Sequence, residues 1–217
     1  MRRVYSFMAV SALCVSMLLA AGCATSKRTA AVPRPEGKLA VAGFSNPIYN
    51  WQILAGYLEE EGKPVPDGTL QALDSALVDA LHRHQVFDFI TPTAVLQCQD
   101  VVVFEESGLP KISAWKYWLG VAKCIQADTL LVPQVTYWRE RDGGPNGVEA
   151  PASVALDFFL IDVKNERMTR ARYEETQVGL SENLFTARKF MDRGGKWVTA
   201  TRLATEGIEE KLMELGL

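Results

Sequence analysis

SVALDFFLIDVKNERMTRARYEETQ, residues 153–177, reads as two extended runs joined at Lys164 and Asn165. The first run is almost wholly apolar, the pattern of a strand covered on both faces, whereas the second alternates charged and apolar residues. A two-residue turn at Lys164 and Asn165 sets Asp162 opposite Arg167 and Asp157 opposite Arg172. Facing opposite charges contribute a few tenths to about 1 kcal/mol each. They also specify register, because a slip of one residue would turn every side chain to the wrong face. Ion pairing across the hairpin is therefore the expected role of both aspartates.

Upstream, TLLVPQVTYW (129–138) has the strongest extended character, with Pro133 arguing for a bulge or one open hydrogen-bonding side. Arg139–Pro151 reads as a Gly- and Pro-rich loop. A helix capped by Ser113 is predicted to run through Ala127 and end at Asp128. Lys38–Phe44, KLAVAGF, fits a buried first strand, and Trp51–Glu60 a helical segment. Leu70, Leu73, Leu77, Leu81 and His84 form the stripe of an amphipathic helix. Val86–Thr91 follows as a second strand, and Thr91-Pro92 opens a short helix through Cys98. Val101–Phe104 is an apolar run without an assigned element. Past the hairpin come Ser181–Met191, a breaker at Arg193–Lys196, and a last helix capped near Thr199 and ending at Gly216, with Leu203, Ile208, Leu212 and Leu215 on its buried side. This order predicts an α/β (α+β) single domain: a mixed sheet of about five strands flanked by helices.

The other end of the chain reads as an address. Arg2 and Arg3 precede an uncharged stretch, Val4–Gly22, rich in Ala, Val, Leu and Met. That is the layout of a secretory signal. The stretch is also about long enough to cross roughly 30 Å of hydrocarbon as an uncleaved helix. It ends, however, in Leu19-Ala20-Ala21-Gly22-Cys23. This resembles the lipobox of bacterial lipoproteins, which implies a signal peptide over 1–22 and Cys23 as the first mature residue. There Cys23 would carry a diacylglycerol and an N-acyl chain such as palmitate. At about 0.8 kcal/mol per buried methylene, two or three chains make the attachment effectively permanent. Ala24 stands where many enterobacterial lipoproteins kept at the inner membrane have Asp, so the resemblance implies the outer membrane, with the domain facing the periplasm.

Residues 24–37 are small, polar and proline-containing, and with Cys23 form a flexible tether ahead of a domain over 38–217. A random coil of that length holds the domain roughly 20 Å off the bilayer. Taking Arg2 and Arg3 from 23 basic residues leaves 21 against 26 acidic ones, a mature charge of −5. No basic face is offered to phosphates, which argues against nucleic acid and against lying on anionic lipid. With 48% hydrophobic and 23% charged residues the chain is an ordinary globular one. Cys98 and Cys124 stay in an oxidising compartment, either as a disulfide or as two buried thiols.

Several motifs in order resemble a group of envelope proteins: the amino-terminal domain of the Tol-system periplasmic protein, the curli-secretion lipoprotein, and the lipoprotein activator of penicillin-binding proteins. They are KLAVAGF, VFDFITP, Gln126-Ala127-Asp128 before TLLVPQV, the hairpin LIDVKNERM, and the tail from EETQ to RGGKWVTATRLATEGIEEKL. The resemblance spans most of residues 38–215 and implies a protein-binding module rather than an enzyme. The loops 99–112 and 139–152 are too short and too charged for the membrane barrel of the curli channel.

Catalytic signatures are not found: no G-x-S-x-G, no H-E-x-x-H and no phosphate-cradling glycine loop. His82 and His84 point to different helix faces and make a poor chelate. Asp157 beside Glu174 or Glu175 imitates a glycosidase pair, but neighbouring arginines favour ion pairing. Trp115 and Trp118 on one helix and Trp138 at a strand end are the candidate partner contacts, although core packing is the commoner role of such residues. The expectation is thus a non-enzymatic, outer-membrane-anchored lipoprotein without cofactor or metal, binding an envelope protein partner. The alternatives are a self-associating secretion component like the curli lipoprotein and, more remotely, a glycan-acting enzyme.

Overall fold

A computed structural model describes residues 32–58, 64–105, 113–179 and 187–217. The signal, Cys23, the free part of the tether and the Glu59–Glu61 charge run lie outside them. The central sheet has the order β1-β2-β5-β6, where β1 is Leu39–Val41, β2 Thr129–Arg139, β5 Ser153–Asp162 and β6 Arg167–Thr176. β1 runs parallel to β2, and the other two pairings are antiparallel. Five helices accompany it: α1 Thr69–Arg83, α2 Pro92–Glu105, α3 Ala114–Cys124, α4 Ala187–Asp192 and α5 Ala200–Leu215. The mixed α/β architecture expected from the sequence is present.

The β5–β6 hairpin has the expected register, with Asp162 facing Arg167 and Asp157 facing Arg172. Alternation then divides the core. Val154, Leu156 and Phe158 of β5, with Leu131 and Val135 of β2, face a layer built by α1 and α5. Phe159 and Ile161, with Leu130 and Val132, face α2 and α3. Both central strands are covered on both sides, which is why they read as nearly continuous apolar runs.

α3 begins at its Ser113 cap, whose side chain accepts from the Lys116 N–H. α5 begins at Thr199, whose hydroxyl accepts from Arg202, and ends at Gly216 in the left-handed region at φ 77°. Within α5, Gly207 lets the helix sit against the sheet, since a Cβ there would lie 2.4 Å from Cδ1 of Tyr173 on β6.

Five expectations need correction. The main sheet has four strands, because Val86–Thr91 is not one: only Ile90 bridges β1, accepting from Val41 N–H at 3.0 Å and donating to Leu39 at 2.9 Å. A three-residue β1 offers no room for more, and Pro92 then opens α2. That helix does not stop at Cys98 but takes in Val101–Phe104. The predicted helix over 51–60 is a single turn at Asn50–Gln52. Its backbone donors go to side chains instead, with Ile48 and Tyr49 N–H on Gln52, Leu58 N–H on Asn50, and Leu54 N–H on Gln134. The loop 139–151 folds into a small antiparallel ribbon, β3 Asp142–Gly144 with β4 Gly147–Ala150. Finally, the helix capped by Ser113 ends at Cys124 and not at Ala127, since Gln126 sits in the left-handed region at φ 53°.

The close approach at Gly207 gives a prediction. Gly207→Ala gains up to about 1 kcal/mol of helix propensity, but overpacking against Tyr173 costs about 1–3 kcal/mol. Thermal unfolding should show Tm lowered by roughly 3–6 °C; a rise would mean that α5 does not pack where described.

Candidate functional site

Asp157 is the one charged residue in the buried part of β5, and its exposure is 0%. Its Oδ1 accepts from Arg170 Nε at 2.8 Å. Its Oδ2 accepts from Arg172 at 2.9 Å and from the Thr136 hydroxyl at 3.4 Å. Both arginines belong to β6 and share the face of Asp157, as residues two apart on a strand must. Arg172 also donates twice to Glu174, at 2.9 and 3.1 Å. Burial works against the Arg172 charge, but Glu174 and Asp157 outweigh it and raise its pKa. Arg170 lies over the Phe159 ring at 5.8 Å.

Gln134 faces Asp157 from β2 and is likewise buried. It holds the segment 46–58 across this part of the sheet, accepting from Leu54 N–H and donating to Gln52 O, each at 3.1 Å. The carboxylate is therefore roofed, doubly ion-paired and away from water. A nucleophile needs a line of attack. Both Asp157 oxygens are instead met by donors, and Glu174 and Glu175 stand on opposite faces of the sheet. No glycosidase pair is assembled here.

The second network lies on the other face. Glu175 accepts from Arg193 at 2.6 Å, Lys189 at 2.8 Å and the Tyr173 hydroxyl at 2.7 Å. Arg193 also grips Glu206 of α5 through two bonds, at 2.6 and 3.1 Å. The breaker at Arg193–Lys196 is thus a clasp and not an anion loop. Burial would raise the Glu175 pKa, yet Arg193, Lys189 and Tyr173 outweigh it and hold it at about 2, against an ordinary 4.5. Burial and the neighbouring Glu175 raise the Tyr173 hydroxyl.

Of the residues singled out in the sequence, Cys98 and Cys124 form a disulfide joining α2 to α3, with Cα atoms 5.9 Å apart. Trp118 is 4% exposed and belongs to the core under α3, so it is not an accessible anchor. Trp115 packs beside it, and Trp138 packs on the core under α1 and α5. His82 stacks on Phe87, and His84 meets Glu209 at 2.7 Å, tying α1 to α5. Among the described residues no set of His, Cys, Asp and Glu side chains gathers as a metal site.

The accessible aromatic residues lie elsewhere. Tyr49 and Trp51 stack with centroids 6.3 Å apart, Tyr57 is 73% exposed, and Phe87 and, on β2, Tyr137 are exposed as well. Sequence reasoning missed Trp51 and Tyr57 because it drew them on a helix over 51–60. The retrospective signal is the polar pair Asn50 and Gln52, which compete for backbone donors. Residues 32–38 lead into β1, where Lys38 N–H donates to Asp128 at 2.7 Å. Residues 32–34 are already fixed there: the Val32 and Pro33 carbonyls lie over Gly216, and Arg34 donates to His84 O at 3.0 Å.

No protein-family model and no curated protein matches the chain. Several solved structures are similar to it. The PelC dodecamer from Paraburkholderia phytofirmans is 18% identical, with 85% of this chain and 93% of that one covered and a TM-score of 0.46. The C-terminal domain of LpoB from Salmonella enterica is 16% identical, covering 75% and 92%, at 0.37. Lipoprotein GNA1162 from Neisseria meningitidis is 12% identical, covering 74% and 99%, at 0.38.

The Glu175 clasp predicts a pH dependence. A depressed carboxylate pKa stabilises the fold in full above 4.5, and that contribution is lost as the pH falls toward 2. Glu175→Gln should cost on the order of 2–3 kcal/mol near pH 7. Urea unfolding of parent and variant should converge between pH 4.5 and 2; a difference independent of pH would contradict the clasp.

Proposed function

We propose that the protein is a lipid-anchored periplasmic module of the outer membrane that binds another envelope protein and performs no catalysis of its own. The observation that carries the reading is the lipobox Leu19–Cys23 standing behind a charged start and an apolar stretch. Ala24 supports the outer rather than the inner membrane. The domain supports the non-catalytic part, since the carboxylates weighed as a catalytic pair are held by Arg170 and Arg172. Its build also suits a tethered binder. Accessible aromatic residues are available on the domain at Tyr49, Trp51, Tyr57 and Tyr137. A partner is then met through such residues rather than through the buried Trp118. The acidic mature charge keeps the body itself off anionic lipid.

Metabolic labelling with palmitate tests the anchor. Cys23→Ala should stay unprocessed and unlabelled, and globomycin-sensitive processing of that variant would overturn the assignment. Membrane fractionation tests the address: the parent should sediment with the outer membrane, and Ala24→Asp should move toward the inner one.

A further inference from the structure

The central sheet has two edges, and the chain treats them differently. The outer edge of β1 is closed by Ile90 through two backbone bonds. That of β6 is not: among the described residues, no backbone group outside β5 bonds to any residue from Arg167 to Thr176. β6 follows β5 residue for residue over its ten positions without a bulge, and it contains neither Pro nor Gly. It presents a regular row of backbone donors and acceptors outward. Natural edges are blunted by short length, bulges, proline or charge. Only charge is present here, and it is sorted along the strand. Arg167, Arg170 and Arg172 occupy the first part, and Glu174 and Glu175 the last. Such an edge repels a parallel copy of itself and attracts an antiparallel one.

We propose that β6 is a self-association edge: two copies pair β6 to β6, antiparallel about a two-fold axis, and join two four-stranded sheets into one. The occupant is a second copy of this chain because the strand's own charges complement themselves on reversal. Matching the faces of the two sheets restricts the register. The favoured one sets Arg170 of each copy against Glu174 of the other, Met168 against Thr176, and Arg172 on the axis. Arg172 meets its counterpart already neutralised, bound to Asp157 and Glu174 of its own copy at 2.9 Å each. Of the two registers two residues away, one sets Arg170 against Arg172 twice and is disfavoured, and the other sets Arg172 against Glu174 twice, a pair each copy already makes within itself. The pairing goes beyond the anchored-module reading and does not rest on it, because the edge pairs whether or not Cys23 carries lipid.

The test uses the full-length lipidated protein in mild detergent. Light scattering should give a dimer, and oxidation of the Met168→Cys/Thr176→Cys double variant should yield a covalent dimer that neither single variant forms. Glu174→Lys, at an exposed position, should weaken association at least tenfold, with the Asp157 bonds of Arg170 and Arg172 retained and the monomer's unfolding curve serving to separate lost pairing from lost folding. A monomer at all concentrations, a larger ring, or an unchanged Glu174→Lys variant would overturn the proposal. So would an edge occupied by a different protein's strand. Each of these outcomes leaves palmitate labelling at Cys23 unaffected, so failure of the edge and failure of the anchor are separately visible.

Discussion

A fully buried carboxylate in the middle of a sheet is tolerated only if its charge is met, and Asp157 sets the terms for everything around it. An unpaired carboxylate there would cost several kcal/mol. β6 answers with Arg170 and Arg172, which the observed register brings to the Asp157 face. The register in turn places Ala171 and Tyr173 on the opposite face, where Gly207 lets α5 close over them. Glu175 then reaches Arg193, which secures the turn between α4 and α5. From one buried charge the argument runs through strand pairing to the packing of a helix layer.

The same dependence explains which parts of the structure could be read from the amino acids alone. The β5–β6 register is encoded locally: two runs, a polar turn, and charges that agree when facing. The caps at Ser113, Thr199 and Gly216 are local signals too. The segment 46–58 is not. Its turn exists because Gln134, far along the chain, takes the Leu54 N–H and offers its own amide to Gln52. No window of sequence around Trp51 contains that partner. Ile90 is similar, an extended residue whose pairing is limited by the length of β1. For the candidate site, the arginines beside Asp157 were visible and correctly decided ion pairing over catalysis. The burial of Trp118 depends on how α3 meets the sheet, as the meeting of Cys98 with Cys124 depends on how α2 and α3 cross.

Function follows the same division of labour. Ionic groups within the domain are largely spent on holding strands and helices together, which leaves surface and edge as the places where work is done. Exposed aromatic residues stand on the segment 46–58, at Phe87 and at Tyr137. The β1 edge of the sheet is closed by Ile90, and the β6 edge is unpaired among the described residues.

The most direct measurement is equilibrium unfolding of Asp157→Asn, with circular dichroism confirming the native fold at low denaturant. If Asp157 organises the hairpin, the variant should lose on the order of 3 kcal/mol, because two buried guanidinium contacts lose their counter-charge. Stability equal to or above that of the parent would contradict the account, since charges kept for function rather than structure are the ones whose removal stabilises.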